Sequence, residues 1–166
     1  PMQIASAASR VNDRQRGQML DKIREAVGGG KGKTVARLGL SFKPNTNVLR
    51  EAPALAIARE LLAEGASIRA YDPEALTEAC HIIPELQPCH DTYHAAEGAD
   101  ALVIMTEWNM FRSLDFETLK SAMCTPLIID LRNVYDPERV AEAGFRHVSV
   151  GRAARSPNGS CGRTSV

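Results

Sequence analysis

The chain has 166 residues, of which 44% are hydrophobic and 24% are charged, as is usual for a globular domain. Its 20 basic and 20 acidic residues cancel, which argues against a broad surface for nucleic acid or an acidic membrane. No apolar run approaches the roughly 20 residues that span a bilayer, and no signal-peptide pattern is visible. With four cysteines at spacings that do not suit zinc, the composition predicts a cytoplasmic protein with free thiols.

The first 28 residues are predicted to be helical. Ile4, Val11, Leu20, Ile23 and Val27 can share one apolar stripe, and no cap precedes them, which suggests a helix entered partway along. The glycine-rich stretch GGGKGKT then ends the helix. It follows a helix and leads into no other helix, so the sequence argues against a phosphate-binding P-loop here.

After this linker, strand patterns alternate with helix patterns. The predicted strands lie in TVARLGL, SIRAYD, DALVIMT, PLIID and FRHVSV, and the predicted helices in APALAIARELLAEG, PEALTEACHII, HDTYHAAEGA, FETLKSAM and PERVAEAG. This alternation predicts an α/β fold, with a Rossmann-like, mostly parallel sheet flanked by helices and preceded by part of a long helix. We expect the α/β domain to span residues 33–152, followed by a flexible tail over residues 153–166.

Ligands of parallel sheets bind beyond the carboxyl ends of the strands, and the loop that follows the first strand is rich in cations there. Lys43 offers a point charge and Arg50 a planar fork for phosphate, and a helix N-terminus near Pro53 adds N–H donors. The loop therefore predicts an anion site. The alternative is that both cations pair with surface carboxylates such as Glu51. Only Gly39 is present where a dinucleotide fingerprint needs three glycines, so a self-contained Rossmann cofactor site is not expected.

Two later loops also carry candidate ligand contacts. Trp108 could stack on a ring or pack against protein, and the packing role is the more common one. Arg132, Asn133 and Tyr135 could hydrogen-bond a phosphate, a sugar or a base, or simply belong to an ordinary Asn/Asp/Pro loop. The four histidines are scattered, and no metal site is predicted.

Several segments together resemble a known family. The segments are LGLSFKPNT, REAPAL, GASIRAYDPEA, GADALVIMTEWNMFRSLDF, IIDLRNVYDP and AGFRHVSVGR. In this order they resemble the C-terminal part of the UDP-glucose 6-dehydrogenase family, within the nucleotide-sugar dehydrogenases. The segment VNDRQRGQMLDKI is similar to the end of that family's long central helix. The resemblance implies UDP-glucose as substrate, NAD as cofactor, and a homodimer formed through residues 1–28. An exposed stripe on this helix would agree with the dimer.

The resemblance also implies a mechanism whose catalytic cysteine lies outside the matched segment. Family members oxidise the sugar C6 hydroxyl to a carboxylate with two NAD, through a cysteine-bound thiohemiacetal and thioester. That cysteine lies upstream of the matched segment, and none of the four cysteines here matches its motif. No catalytic residue is therefore expected in this chain, which alone should not catalyse.

Individual roles can be carried over only to matching positions. By resemblance, Phe42 and Lys43 contact the UDP-sugar, and Arg50 reaches NAD across the domain cleft. Arg132 and Asn133 fall in the loop that approaches the UDP group.

One pair of residues departs from the family pattern. Asn47 and Val48 stand where the family usually has two acidic residues, which removes carboxylates that would help to fix Arg50. This departure supports one alternative, a catalytically silent binding module. A separate alternative is a related dehydrogenase for UDP-N-acetyl-hexosamine or GDP-mannose.

Overall fold

The computed structural model describes residues 14, 17–29, 31–40, 53–106 and 108–149. Within these ranges it has the predicted α/β architecture, with one six-stranded sheet. The strands are β1 (Thr34–Leu38), β2 (Ser67–Tyr71), β3 (Gln87–Pro88), β4 (Ala101–Ile104), β5 (Leu127–Asp130) and β6 (Arg146–Ser149). The helices are α1 (17–27), α2 (Pro53–Ala63), α3 (Leu76–Ile82), α4 (Thr92–Ala96), α5 (Asn109–Arg112), α6 (Phe116–Ala122) and α7 (Pro137–Glu142).

The strand order is β3-β2-β1-β4-β5-β6, and every neighbouring pair is parallel. The chain thus builds outward from β1 in one direction and then restarts at β4 in the other direction. In such sheets the crevice beyond the carboxyl ends of the two central strands is the usual place for a ligand. Here that crevice lies between the loops that follow β1 and β4.

Strands β4 and β5 are buried at every position, which explains their continuous apolar runs. One face of the sheet packs against α1, α2 and α3 through aliphatic side chains, among them Ile57, Leu61 and Ile68. The other face packs against the remaining helices and is richer in aromatic side chains, among them Phe111 and Phe145. Alternate residues of each strand point to opposite faces, so β1 gives Val35 to the first face and Ala36 and Leu38 to the second.

Three helices begin at aspartate caps, which the sequence places directly before each helical run. Asp91 accepts a hydrogen bond from the backbone N–H of His94 at the start of α4. Asp115 caps α6 and Asp136 caps α7 in the same way. Because a cap satisfies N–H groups that have no partner inside the helix, these residues set where each helix begins.

Helix α1 packs on its own domain. Its apolar residues Leu20, Ile23 and Val27 are buried in the core beside α2. Arg24 pairs with Glu64, directly after α2, and the Lys22 ammonium donates to a carbonyl at the end of β6. The expectation of an exposed stripe is therefore wrong for this part of the helix, because the stripe covers the sheet of the same chain. Residues 1–13 lie outside the described part of the chain.

Two elements were not predicted. Strand β3 has only two residues, one of them a proline, and both are exposed, so no strand pattern marks it. Helix α5 is a single turn after Trp108, too short for an apolar period to appear. The linker behaves as expected: a strand, not a helix, begins at Thr34, which excludes the P-loop. The tail over 153–166 lies outside the described residues.

Candidate functional site

The strands end level with one another at the edge where a ligand is expected. In the register of the sheet, Leu38 of β1 lies beside Tyr71 of β2 and Ile104 of β4. Ile104 in turn lies beside Asp130 of β5, and Asp130 lies beside Ser149 of β6. The described residues that directly follow these positions therefore lie together at the carboxyl edge of the sheet.

The cation-rich loop begins on this surface. Phe42, Lys43 and Arg50 all lie outside the described residues, so their predicted contacts stay predictions. The structure does describe where the loop leaves the sheet, at Gly39 and Leu40, and where it enters α2.

Gly39 allows β1 and β4 to approach closely at their carboxyl ends. Its φ of +93° lies in the left-handed region, which side chains with a Cβ rarely adopt. A Cβ built on Gly39 would lie 2.5 Å from the Thr106 Cβ and 2.7 Å from the Thr106 backbone nitrogen. Only glycine fits at this crossing without displacing backbone.

Asp72 joins three loops at the same edge. Its side chain is 2% exposed, and its Oδ2 accepts the Leu40 N–H at 2.8 Å. The same oxygen lies 3.4 Å from the Trp108 indole nitrogen, which donates to it. Oδ1 accepts the backbone N–H groups of Glu74 and Ala75, at 2.9 and 2.8 Å. One carboxylate thus contacts the loops that follow β1, β2 and β4.

This use of Asp72 bears on NAD. In dinucleotide-binding sheets, an acidic residue about 20 residues beyond the glycine loop holds the ribose. Asp72, at the end of β2, directs both carboxylate oxygens to N–H donors of the chain itself. Only Gly39 and Leu40 are described in the loop after β1, and residues 41–52 lie outside the described part of the chain, so the expectation of no self-contained dinucleotide site stays a prediction.

Asp130 shapes the loop that carries Arg132 and Asn133. Its carboxylate is fully buried and accepts backbone N–H groups from Arg132 at 3.2 Å, Val134 at 3.0 Å and Tyr135 at 2.9 Å. The chain turns so that Arg132 and Asn133 are exposed while Val134 and Tyr135 are buried. Asn133 adopts a φ of +53°, which asparagine tolerates better than most residues.

The electrostatics favour the ionised form of Asp130. Burial acts to raise the pKa of this carboxyl, but hydrogen bonds from the His147 ring and from three backbone N–H groups outweigh it. The pKa of Asp130 therefore lies below its ordinary value. The His147 Nε2 lies 3.5 Å from Oδ2 and is also fully buried, so the pair is shielded from solvent.

Two aromatic candidates for ligand contact are core residues instead. Trp108 is 7% exposed and packs on the aromatic face of the sheet, which supports the packing role. Tyr135 is also buried and donates its hydroxyl to the Phe111 carbonyl. Burial raises the pKa of the Tyr135 hydroxyl, so this group stays protonated and keeps its donor role.

Features away from the carboxyl edge of the sheet give weaker indications of a functional site. The His90 and His94 rings stack at 4.1 Å, and the His94 Nδ1 accepts the His90 backbone N–H. The described ranges contain no group of three or more metal-ligating side chains. They also contain no helix long and apolar enough to cross a membrane. A cavity of about 430 Å³ lies between the ends of α2 and α3, lined by Leu62, Ile82 and Pro84 among others, and no predicted site residue lines it.

Sequence reasoning found the loops but missed the residues that hold them. Neither Asp72 nor Asp130 is among the site residues that the sequence predicts. Asp72 directly follows β2, and Asp130 is the last residue of β5. This placement is the available signal, because an acid there is close enough to the loop backbone to accept its N–H groups.

Comparison with known proteins gives the family. A model of the UDP-glucose/GDP-mannose dehydrogenase family, UDP binding domain, matches residues 36–137. UDP-glucose 6-dehydrogenase of Rhizobium meliloti is 47% identical over 153 residues, which cover 92% of this chain and 35% of that protein. A UDP-glucose 6-dehydrogenase of Bacillus subtilis is 41% identical over 159 residues, 95% of this chain and 36% of that protein. The chain spans about a third of the length of these relatives.

Solved structures agree in fold. An NDP-N-acetyl-D-galactosaminuronic acid dehydrogenase of Methanosarcina mazei superposes with a TM-score of 0.77 at 27% identity, over 89% of this chain and 31% of that chain. A UDP-glucose dehydrogenase of Pyrobaculum islandicum gives 0.66 at 29% identity, over 78% and 28%. Sequence, strand order and the loops at the carboxyl edge thus lead to one assignment: the chain belongs to the UDP-glucose/GDP-mannose dehydrogenase family, of which it contains the UDP-binding domain.

Proposed function

We propose that this chain is the UDP-sugar-binding part of an NAD-dependent UDP-glucose 6-dehydrogenase, which converts UDP-glucose to UDP-glucuronate. The observation that carries the proposal is the 47% identity to the Rhizobium meliloti enzyme over 92% of the chain. The relatives are oxidoreductases, and this chain aligns with only about a third of each. Its own role is therefore binding, and the redox chemistry needs the remainder of such an enzyme.

We propose that the substrate lies across the carboxyl edge of the sheet. Phe42 and Lys43 would contact the UDP-sugar from the loop after β1, with Lys43 neutralising phosphate charge. Arg132 and Asn133 would approach from the loop after β5, where their exposure supports this role. Arg50 would reach NAD across the domain cleft.

The proposal also covers assembly and location. We propose a cytoplasmic homodimer, with the helix at residues 1–28 as its contact, and neither nucleic acid nor membrane as a partner. The balanced charge of the chain supports the last point. The burial of Leu20, Ile23 and Val27 in this chain restricts the contact to the other faces of α1 or to residues before it.

Isothermal titration of the chain with UDP-glucose tests the binding role. We expect Lys43→Ala to weaken binding by about 1.5–3 kcal/mol, the usual range for a charged hydrogen bond. Arg132→Ala should also weaken it, whereas the control Arg146→Ala should not. Arg146 is equally exposed, but it lies at the opposite edge of the sheet, at the start of β6. Equal effects of the two arginine substitutions would contradict the proposed site.

The same titration addresses the sugar. The similarity to the Methanosarcina mazei enzyme keeps an N-acetylated UDP-sugar as the second candidate. Tighter binding of UDP-N-acetyl-hexosamine or GDP-mannose than of UDP-glucose would replace the substrate in our proposal. Asn47 and Val48 favour the further alternative of a silent module, which NADH production from UDP-glucose by the full-length protein would exclude.

A further inference from the structure

We propose that Asp72 is a positioning residue for the substrate-binding loop, and that nucleotide affinity depends on it although it is almost fully buried. This inference rests on the proposed function, because it concerns the loop that carries Phe42 and Lys43. The side chain of Asp72 is 2% exposed and is directed at protein N–H groups, so its effect on the ligand is indirect.

The loop after β1 leaves the sheet at Gly39 and Leu40. The Gly39 N–H donates to the Tyr71 carbonyl at 3.0 Å, which continues the pairing of β1 with β2. The next N–H, that of Leu40, has left the strand and donates to the Asp72 carboxylate at 2.8 Å. Leu40 itself is fully buried. Lys43 follows only three residues later, so the direction in which the chain leaves Leu40 sets where Lys43 can reach.

The Asp72 carboxylate also accepts hydrogen bonds from its own turn and from Trp108. Oδ1 accepts from the backbone of Glu74 and Ala75, which fixes Asp72 within its own turn. Oδ2 is then aimed at Leu40 and shares its acceptor capacity with the Trp108 indole N–H. Trp108 is packed into the core, so it gives Oδ2 a second fixed neighbour. The Leu40 N–H, where the chain leaves β1, is thereby tied to the turn after β2, and the same oxygen contacts the Trp108 side chain.

The chain offers a matched control. Asp100 makes the equivalent bond at the other end of β1, where its Oδ2 accepts the Thr34 N–H at 2.8 Å. Each aspartate thus accepts one backbone N–H group near an end of β1, Asp100 from its first residue and Asp72 from Leu40, just beyond its last residue. Asp100 lies at the amino end of the sheet, away from the proposed substrate. Substituting either aspartate should lower the stability of the domain. Only the substitution of Asp72 should also weaken the binding of the nucleotide.

The experiment compares Asp72→Ser with Asp100→Ser in the 166-residue chain, with UDP-glucose as the probe. Each serine removes the carboxylate that reaches β1, and the serine at 72 can still cap the turn at Glu74 and Ala75. We expect Asp72→Ser to weaken binding about ten-fold, the equivalent of one hydrogen bond at 1.4 kcal/mol per ten-fold. Asp100→Ser should stay within about two-fold at a comparable loss of melting temperature. Equal weakening by both variants, or unchanged affinity in Asp72→Ser, overturns the proposal.

A size-conserving variant guards against a folding defect. In Asp72→Asn one side of the carboxylate becomes an NH2 group, so the side chain can no longer accept from both the turn and Leu40. We expect a similar loss of affinity with a smaller loss of stability. Trp108→Phe should weaken binding less, and its effect should shrink in the Asp72→Ser background because both residues act on one oxygen. Fully additive effects would contradict the shared anchor.

Amide hydrogen exchange separates this inference from the proposed function. If the unmodified chain does not bind UDP-glucose, the proposed function fails, but the anchor can still be measured. We expect faster exchange at residues 40–52 in Asp72→Ser than in Asp100→Ser. The same exchange in both variants overturns the anchor, whatever the result of the titration.

Discussion

Asp72 and Asp130 are both buried carboxylates at the carboxyl ends of strands, but they stabilise the edge in different ways. Asp130 accepts three backbone N–H groups from residues two to five positions further along the chain. It folds its own loop, and His147 is its contact from another strand. Asp72 also caps its own turn, but its second oxygen accepts from Leu40, 32 residues away, and from Trp108, 36 residues away.

The two carboxylates therefore act on different properties of their loops. Asp130 sets the conformation of its own loop, whereas Asp72 sets where the loop after β1 leaves the sheet. The loop after β5 acquires its shape locally, so Arg132 and Asn133 are presented by a turn that a short segment encodes. The loop after β1 depends on contacts that exist only after β1, β2 and β4 have assembled. We therefore expect substitutions at Asp130 to act mainly on stability and substitutions around Asp72 to act mainly on the geometry of the nucleotide site.

The largest expected effect tests the local half of the comparison. Asp130→Ala leaves three backbone N–H groups, two of them buried, without their acceptor, and we expect it to lower the free energy of unfolding by about 3–5 kcal/mol. Urea denaturation would measure the change. The control is Asp136→Ala, which removes an exposed helix cap and should cost about 1 kcal/mol. Similar losses in the two variants would mean that the buried bonds of Asp130 contribute little.

The next effect tests the close approach of β1 and β4. Gly39→Ala places a methyl group 2.5 Å from Thr106 at a left-handed φ, so we expect a loss of about 2–4 kcal/mol. Gly98→Ala is a matched control, since Gly98 also has a positive φ of +68° but nothing within 4 Å of the added methyl. Gly98→Ala should cost about 1–2 kcal/mol. A thermal melt of both variants suffices, and equal losses would show that backbone strain alone decides.

A third buried charge sharpens the comparison. Burial lowers the pKa of the Arg37 guanidinium, in the middle of β1, to about 10, so the charge carries a desolvation cost. We expect Arg37→Met to lower the free energy of unfolding by about 1–3 kcal/mol, because it removes one partner of a buried polar interaction. Arg69→Met, in the adjacent strand, should cost about 1 kcal/mol, since Arg69 donates to the His94 carbonyl at 2.7 Å. A gain of stability in Arg37→Met would show that the desolvation outweighs the interactions of the guanidinium.

The smallest effect concerns pH. Because the pKa of Asp130 is lowered in the folded state, its contribution to stability is fully present above the ordinary value of 3.8. That contribution is lost as the pH falls through the folded-state pKa. The difference in stability between the unmodified chain and Asp130→Asn should therefore narrow between about pH 5 and about pH 2. If the difference in stability stayed constant over this pH range, the charge of the Asp130 carboxylate would not contribute to stability.

The sequence revealed the elements whose signal is local. Local strand patterns predicted five of the strands, and the rule that ligands bind at carboxyl ends indicated the loops of Lys43 and Arg132. What it could not reveal depends on distant partners. The Leu40 N–H finds its acceptor 32 residues away, and nothing in the neighbourhood of either residue specifies that pairing. The stripe on α1 likewise shows an apolar face but not what covers it, which proved to be the sheet of the same chain.

The two-residue strand β3 limits how copies of this protein can meet. It forms one outer edge of the sheet, and Pro88 carries no N–H group that a further strand could use. A long, flat edge would invite another chain to extend the sheet by backbone pairing, and with it uncontrolled growth into aggregates. The brevity of β3 and its proline block this route on that side. Association there would have to proceed through side chains, whose chemistry can select one partner and refuse others.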